Sequence, residues 1–181
     1  MVNGQLKADR GSIKLNGKEL IGMPPRDIWR MGVGRTFQIA ATFASFTVVE
    51  NVQLALLSSD NLLLATWRRA TGHKRQEAMD LLAQVGMAEQ ADRPCSELAY
   101  GDVKRVELAI AIANDPKLLL MDEPTAGMAP KERNDLMALT KQLVIDRDMA
   151  VLFTEHSMDV VFAYADRMIV LARGRLIAEG K

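Results

Sequence analysis

The spacing of hydrophobic residues predicts where helices lie along this chain. Over residues 47–57 the apolar side chains recur every three or four positions, as on one face of an amphipathic helix. Thr47 with Glu50 three residues later has the pattern of a helix-capping box. The same spacing predicts further helices over 74–85, 102–113, 131–145 and 157–164.

Short runs of apolar residues between these helices predict strands that are buried on both faces of a sheet. The clearest are Leu118–Met121 and Ala150–Thr154, and a hairpin is predicted over 167–178. Strands that alternate with helices in this way are typical of a parallel sheet. Near the start of the chain we predict shorter elements, namely strands over 11–17 and 33–38 and a helix over 26–31.

These elements predict a single α/β domain with a mainly parallel sheet. A length of 181 residues suits one domain. We divide it into an N-terminal β part over residues 1–46 and a helical subdomain over 47–115. The remaining core spans residues 116–181. The helical subdomain is then an insertion between strands of the sheet.

Composition narrows the classes of function. Lys plus Arg and Asp plus Glu each number 23, so the net charge is zero, which argues against a broad nucleic-acid surface because neutralising phosphates requires a basic surplus. The single cysteine, Cys95, leaves no intramolecular disulfide and fits a reducing compartment. No apolar run approaches the roughly 20 residues that span a bilayer. We therefore expect a soluble chain whose membrane role, if any, comes through a partner.

Two adjacent carboxylates, Asp122 and Glu123, end the apolar run Leu118–Met121. In open α/β sheets ligands bind at the carboxyl ends of the strands. One carboxylate there is suited to Mg²⁺, a hard cation that prefers oxygen ligands, and the other to orienting or deprotonating a water molecule. A solvated Asp-Glu turn is the alternative, and these two residues alone do not decide between the two interpretations.

Three further segments carry chemistry of the same kind. Leu98-Ala-Tyr-Gly-Asp102 precedes a predicted helix, whose free N–H groups can bind an anion. His156 follows the predicted strand 150–154 and could hydrogen-bond a phosphate oxygen, while Gln38 closes the predicted strand 33–38. Taken one at a time, these residues are more often an ordinary turn, a structural histidine and a simple strand end.

Together, in this order and spacing, the segments resemble the ATP-binding cassette family, the nucleotide-binding domains of ABC transporters. Gln38 matches the Q-loop glutamine, Leu98–Asp102 the signature loop, and Leu118–Glu123 the Walker B segment with its catalytic glutamate. His156 matches the switch histidine, and Thr125–Pro130 lies where the D-loop belongs. The amino-acid sequences of these segments most resemble those of the ATPase subunits of branched-chain amino acid importers, and urea-type importers look similar.

The resemblance implies ATP and Mg²⁺ as cofactors. It implies that Asp122 and Gln38 hold Mg²⁺, that Gln38 also senses the attacking water, and that Glu123 acts as general base. His156 would contact the γ-phosphate. The signature loop would complete the nucleotide site of a second, facing cassette through five residues: Leu98, Ala99, Tyr100, Gly101 and Asp102.

The implied partners are a second ABC ATPase subunit, in a homodimer or heterodimer, and a membrane permease. The segment after Gln38, residues 39–49, would touch the permease. The expected location is peripheral, on the cytoplasmic face of the inner membrane, with no nucleic acid bound. A DNA-repair or chromosome-organising ATPase shares two of the motifs, but the zero net charge, the lack of long heptads and the short span from Gln38 to Leu98 disfavour it.

One motif of the family, the P-loop, is not found in the 181 residues. The P-loop pattern, Gly-x-x-x-x-Gly-Lys-Ser/Thr, cradles phosphates with backbone N–H groups and a lysine, and the two Gly-Lys pairs at 17–18 and 180–181 do not fit it. Losing three charge-assisted hydrogen bonds would weaken nucleotide binding by about 4 kcal/mol, or about a thousandfold. The family's missing segment also holds a central strand and a helix, so we expect an open sheet edge.

Two hypotheses follow from this departure. The first is a transport ATPase that is truncated at both ends relative to the family and lacks its P-loop. The second is a non-catalytic cassette remnant, a binding protein that pairs with an intact ABC ATPase and lends it the signature loop.

Overall fold

The computed structural model describes residues 2–6, 8–36, 42–59 and 74–181. Its strands are β1 Lys14–Leu15, β2 Lys18–Glu19, β3 Val33–Arg35, β4 Leu118–Asp122, β5 Ala150–Thr154, β6 Met168–Ala172 and β7 Arg175–Gly180. Its α-helices are α1 Pro25–Arg30, α2 Val48–Ser59, α3 Arg75–Gln84, α4 Tyr100–Ala111, α5 Pro130–Arg147 and α6 Met158–Tyr164.

A parallel three-stranded sheet, in the order β3-β4-β5, forms the centre of the fold. Val33 pairs with Leu118, and Asp122 pairs with Thr154. The predicted α/β fold with a parallel sheet is therefore confirmed. The strand predicted over 33–38 ends at Arg35, and Gln38 lies outside the described residues.

The strand predicted over 11–17 is wrong. The chain instead reverses at Asn16 and Gly17, whose φ angles of 49° and 81° are both left-handed. Two consecutive left-handed residues, with Gly second, are typical of the tight turn of a hairpin. Residues 14–15 therefore pair antiparallel with residues 18–19.

The predicted helices are present, with small differences at their ends. The capping box at the start of α2 is confirmed, because the Thr47 backbone N–H donates to Glu50 Oε2 at 2.8 Å and the Glu50 N–H donates to Thr47 Oγ1 at 3.3 Å. Helix α4 begins at Tyr100 rather than at residue 102. Tyr100–Asp102 of the signature segment thus lie in the first turn of this helix, and Leu98 and Ala99 precede it.

One apolar core joins helices α2 to α5 with the sheet. Its fully buried side chains come from both the helical part and strand β4, and include Val48, Val52, Leu82, Val106, Leu108, Ile112 and Leu119. A smaller cluster of Leu20, Ile28 and Val33 packs under the N-terminal hairpin. Helix α4, which begins with signature residues, therefore shares one apolar core with β4, the strand that carries Asp122.

Strand β5 differs from its prediction as a strand buried on both faces. Ala150, Leu152 and Thr154 are exposed, and Leu152 is 50% exposed. Val151 and Phe153 alternate with them and are half-buried, so one face of β5 stays uncovered. In the described sheet β5 lies beside β4 only, and the hairpin β6–β7 pairs only with itself in the described residues.

None of the helices in the described residues combines the length and the hydrophobicity that crossing a bilayer requires.

Candidate functional site

The candidate site lies where β4 and β5 end side by side. Their register places Asp122 opposite Thr154, so both strands end at the same level. Glu123 then takes a left-handed backbone with φ of 47°, which ends the strand and turns the chain. Its N–H donates to the Thr154 carbonyl oxygen at 3.1 Å, and this bond fixes the first residue after the strand.

Short polar contacts connect the ends of the two strands. Thr154 Oγ1 donates to Asp122 Oδ1 at 2.7 Å. His156 Nε2 lies 2.7 Å from Glu123 Oε1. The imidazole is 85% exposed and the Glu123 side chain 27% exposed, so this pair faces solvent at the mouth of the site. The structure thus brings together Asp122, Glu123 and His156, three of the residues that the sequence singled out.

Two neighbouring side chains belong to the same cluster and were not predicted. The Glu155 Oε1 atom accepts hydrogen bonds from Thr125 Oγ1 at 2.5 Å and from the Thr125 N–H at 3.0 Å. The His156 N–H donates to Glu155 Oε2 at 3.2 Å. The available signal was that Thr125 lies two residues after Glu123 and that Glu155 directly precedes His156. Sequence alone does not show that these two segments touch.

The signature segment contacts the chain that follows Glu123. Tyr100 Oη donates to the Ala126 carbonyl oxygen at 3.3 Å, and a Cβ at Gly101 would lie 3.6 Å from the Glu132 carboxyl carbon. Ala99 and Tyr100 are exposed, whereas Leu98, Gly101 and Asp102 are half-buried. The Lys104 Nζ atom lies 5.5 Å from the centroid of the Tyr100 ring.

The carboxylate at the end of β4 has the chemistry that Mg²⁺ requires. In nucleotide sites this ion is bound by one or two carboxylates and by phosphate oxygens. Thr154 holds the Asp122 carboxylate in one orientation. No cluster of three or more His, Cys, Asp or Glu side chains able to hold a metal occurs in the described part of the chain, so phosphate oxygens would have to supply further ligands.

Comparison with known proteins identifies this arrangement as an ATP-binding cassette. The sequence profile of the family described as "ABC transporter" matches residues 1–126. The chain is 37% identical over 186 residues to the high-affinity branched-chain amino acid transport ATP-binding protein LivG of Escherichia coli, covering 99% of this chain and 73% of LivG. It is 37% identical over 177 residues to BraF of Pseudomonas aeruginosa, which has the same description, covering 94% of this chain and 69% of BraF.

The fold comparison agrees. The ADP conformation of MJ1267, an ATP-binding cassette of an ABC transporter, superposes with a TM-score of 0.84 at 28% identity, covering 99% of this chain and 72% of that structure. This chain therefore belongs to the ABC transporter family, and the resemblance seen in its motifs is confirmed. Its relatives LivG and BraF are ATP-binding proteins of branched-chain amino acid transport.

Proposed function

We propose that this chain is the ATP-binding and ATP-hydrolysing subunit of an ABC importer that drives uptake of branched-chain amino acids. The observation that carries the proposal is the 2.7 Å contact between His156 and Glu123 beside Asp122. Transfer of a phosphoryl group to water needs a proton acceptor and a phosphate contact at one place. The identity to LivG and BraF supports the class of transported solute.

Each residue has a distinct role in this proposal. The Glu123 carboxylate accepts the proton of the attacking water, and the His156 imidazole donates a hydrogen bond to the γ-phosphate. Asp122 and Gln38 would hold Mg²⁺, which when bound neutralises charge on the phosphates. Gln38 also orients the water; it lies outside the described residues.

We propose that the chain works in a pair of cassettes below a permease. The exposed Ala99 and Tyr100 at the start of α4 would face the nucleotide of the second cassette, with Leu98, Gly101 and Asp102 completing that surface. In the segment after Gln38, Phe43 is exposed and its ring lies 5.3 Å from that of Phe46, which suits a protein contact. The chain would then sit peripherally at the cytoplasmic face of the inner membrane and bind no nucleic acid.

The domain division predicted from the sequence fits these roles. Helices α2, α3 and α4, all within 47–115, pack on one another through one apolar core. Residues 116–181 contain the two strands that end at the candidate site. We propose that 1–181 is one partial cassette domain in which the part over 1–46 carries Gln38.

A second candidate function is a non-catalytic cassette that pairs with an intact ATPase. The observation that favours it is the lack of a P-loop pattern within the 181 residues, while the signature segment is present and partly exposed. In that case Leu98–Asp102 would act on a nucleotide held by the partner, and Glu123 would have no role.

Hydrolysis by the purified 181-residue chain separates the two candidates. At millimolar Mg²⁺-ATP we expect measurable release of phosphate, and we expect Glu123→Gln to lower its rate at least a hundredfold because the proton acceptor is lost. Glu89→Gln makes the same chemical change at an exposed position and should leave the rate unchanged.

Absence of hydrolysis at these concentrations would overturn the first candidate. Purified LivG would then be assayed with and without the chain. A rise in LivG hydrolysis that Gly101→Asp abolishes would establish the second candidate, and an unchanged LivG rate would reject it.

A further inference from the structure

The exposed imidazole of His156 has little packing of its own to hold it in place, since 85% of the side chain is open to solvent. Its position 2.7 Å from Glu123 must therefore be fixed by the backbone that carries it. That backbone is the short connection 155–157 between β5 and α6.

Glu155 ties this connection to the loop that follows Glu123. One carboxylate oxygen accepts from both the hydroxyl and the N–H of Thr125, at 2.5 and 3.0 Å, and the other accepts from the N–H of His156 at 3.2 Å. Thr125 is only 2% exposed, so this end of the link is anchored in buried structure. Hydrogen bonds to an ionised acceptor are roughly twice as strong as neutral ones.

A second link supports the other side of His156. Arg133 Nη1, from the first turns of α5, donates to Ser157 Oγ at 3.0 Å. Both flanking residues of the histidine are thus held by the segment 125–133, which follows Glu123 along the chain. The Glu123–His156 and Thr125–Glu155 contacts together make a double bridge between the two loops.

We propose that Glu155 is a positioning residue that holds His156 against Glu123 by locking the loop 123–125 to the loop 155–157. The inference deepens the proposed function, on which it rests for the catalytic roles of His156 and Glu123. It also implies that any displacement of Thr125 moves His156. Glu155 touches neither nucleotide nor water in this scheme and acts only through its neighbour.

The test uses the ring signals of His156 in the full 181-residue chain and needs no nucleotide. The chain has two histidines, so a His73→Gln background leaves His156 as the one source of imidazole ¹⁵N signals. Replacing Glu123 by Gln changes a carboxylate 2.7 Å from Nε2 into an amide, and we expect a clear shift of the Nε2 signal.

The size of that Glu123-dependent shift measures how well His156 is positioned. We expect Thr125→Val, which deletes the hydroxyl and keeps the shape and the Glu155 charge, to reduce it at least twofold. Thr125→Ser keeps the hydroxyl and should preserve the shift. Glu155→Ala should abolish it, and Glu155→Gln, whose amide oxygen can still accept from Thr125, should retain part of it.

The outcomes separate positioning from a merely structural role. A shift of full size in folded Glu155→Ala or Thr125→Val would overturn the proposal, even if the variant melted at a lower temperature. If Glu155→Ala does not fold, the matched Thr125→Val and Thr125→Ser pair decides the question alone. Where hydrolysis is measurable, Glu155→Ala should lower kcat at least tenfold with KM changed less than twofold. If the chain does not hydrolyse ATP but the Glu123-dependent shift responds to the Thr125 and Glu155 variants as expected, the result would count against the proposed function only.

Discussion

Glu123 reaches the candidate site through a backbone conformation that few non-glycine residues adopt. Its φ of 47° lies in the left-handed region, which costs an L-residue roughly 1–2 kcal/mol. Its N–H is within hydrogen-bond distance of both the carbonyl oxygen and Oγ1 of Thr154, and these contacts offset part of that cost. Strain of this kind at the point where a catalytic carboxylate is expected is typical of functional sites.

Glu19, at the N-terminal hairpin, gives a pH-dependent test of the structure. Its carboxylate accepts from Ser12 Oγ at 2.5 Å and from the N–H groups of Ile13 and Ile21 at 2.9 and 3.1 Å. The hydrogen bond from Ser12, followed by those backbone bonds, lowers the pKa of Glu19 from 4.5 to about 2. Because the folded pKa is depressed, the stabilisation is complete above 4.5 and is lost as pH falls toward 2.

The measurement is the amide NMR signal of Ile13 and Ile21 between neutral pH and pH 1.5. We expect both signals to titrate with a midpoint of about 2, and Ser12→Ala to raise the midpoint because it removes the largest cause of the shift. Glu19→Gln should abolish the titration. A midpoint near 4.5 in the unmodified chain would contradict these hydrogen bonds.

Sequence analysis predicted those residues of the candidate site that lie at or just after the ends of strands. Asp122, Glu123 and His156 each follow an apolar run, so position along the chain was enough to single them out. Thr125 and Glu155 were not predicted, because their contact joins residues 30 positions apart. Such a contact depends on the register between β4 and β5, which no local pattern encodes.

Helix α2 organises the segment that precedes it through Asn51, whose side chain is 3% exposed. Asn51 Oδ1 accepts from the Phe43 N–H at 2.7 Å, and Nδ2 donates to the Phe43 carbonyl oxygen at 3.1 Å. The helix thus orients the exposed Phe43 that we propose contacts a permease.

We predict that Asn51→Leu frees this segment. The change keeps the size of the side chain but leaves the Phe43 N–H without its partner and the Phe43 carbonyl with only the Phe46 N–H, at 3.0 Å. The free energy of unfolding should therefore fall by about 1–3 kcal/mol. Hydrogen exchange at the Phe43 amide should become faster by at least tenfold.

Cys95→Ala is the matched control for that substitution. It removes the contact from Asn51 Nδ2 to Cys95 Sγ at 3.2 Å, while the bonds of Asn51 to Phe43 and to the Thr47 carbonyl stay. Exchange at the Phe43 amide should then be unaffected. Equal rates in Asn51→Leu and in the unmodified chain would show that the side chain does not orient this segment.

Helix positions were predictable to within about two residues because period and capping are local properties. Strand burial was predictable for β4 but not for β5, although both runs are apolar. Burial depends on what packs over each face of a strand, and the face of β5 with Ala150, Leu152 and Thr154 stays exposed. An apolar run does not show which of its faces the rest of the chain covers.

At the scale of the whole molecule, the described residues divide into a well-packed part and an open part. Helices α2 to α5 and strand β4 share one core, whereas β5 and the hairpin β6–β7 expose large apolar side chains: Leu152, Ile169, Val170, Leu171, Leu176 and Ile177. We call these six residues the exposed apolar set. Exposed apolar side chains bind hydrophobic probes, so we expect this part of the chain to do so.

Our last prediction compares the exposed apolar set with the core. Leu171 and Ile177 are 66% and 62% exposed, so replacing either by Gln should lower the fluorescence of bound bis-ANS and change the free energy of unfolding by less than about 0.5 kcal/mol. Leu108→Ala, at a fully buried position, should instead cost about 2–5 kcal/mol. A loss of stability in Leu171→Gln as large as in Leu108→Ala would mean that the hairpin is covered in solution, because only a buried side chain can lose that much on substitution.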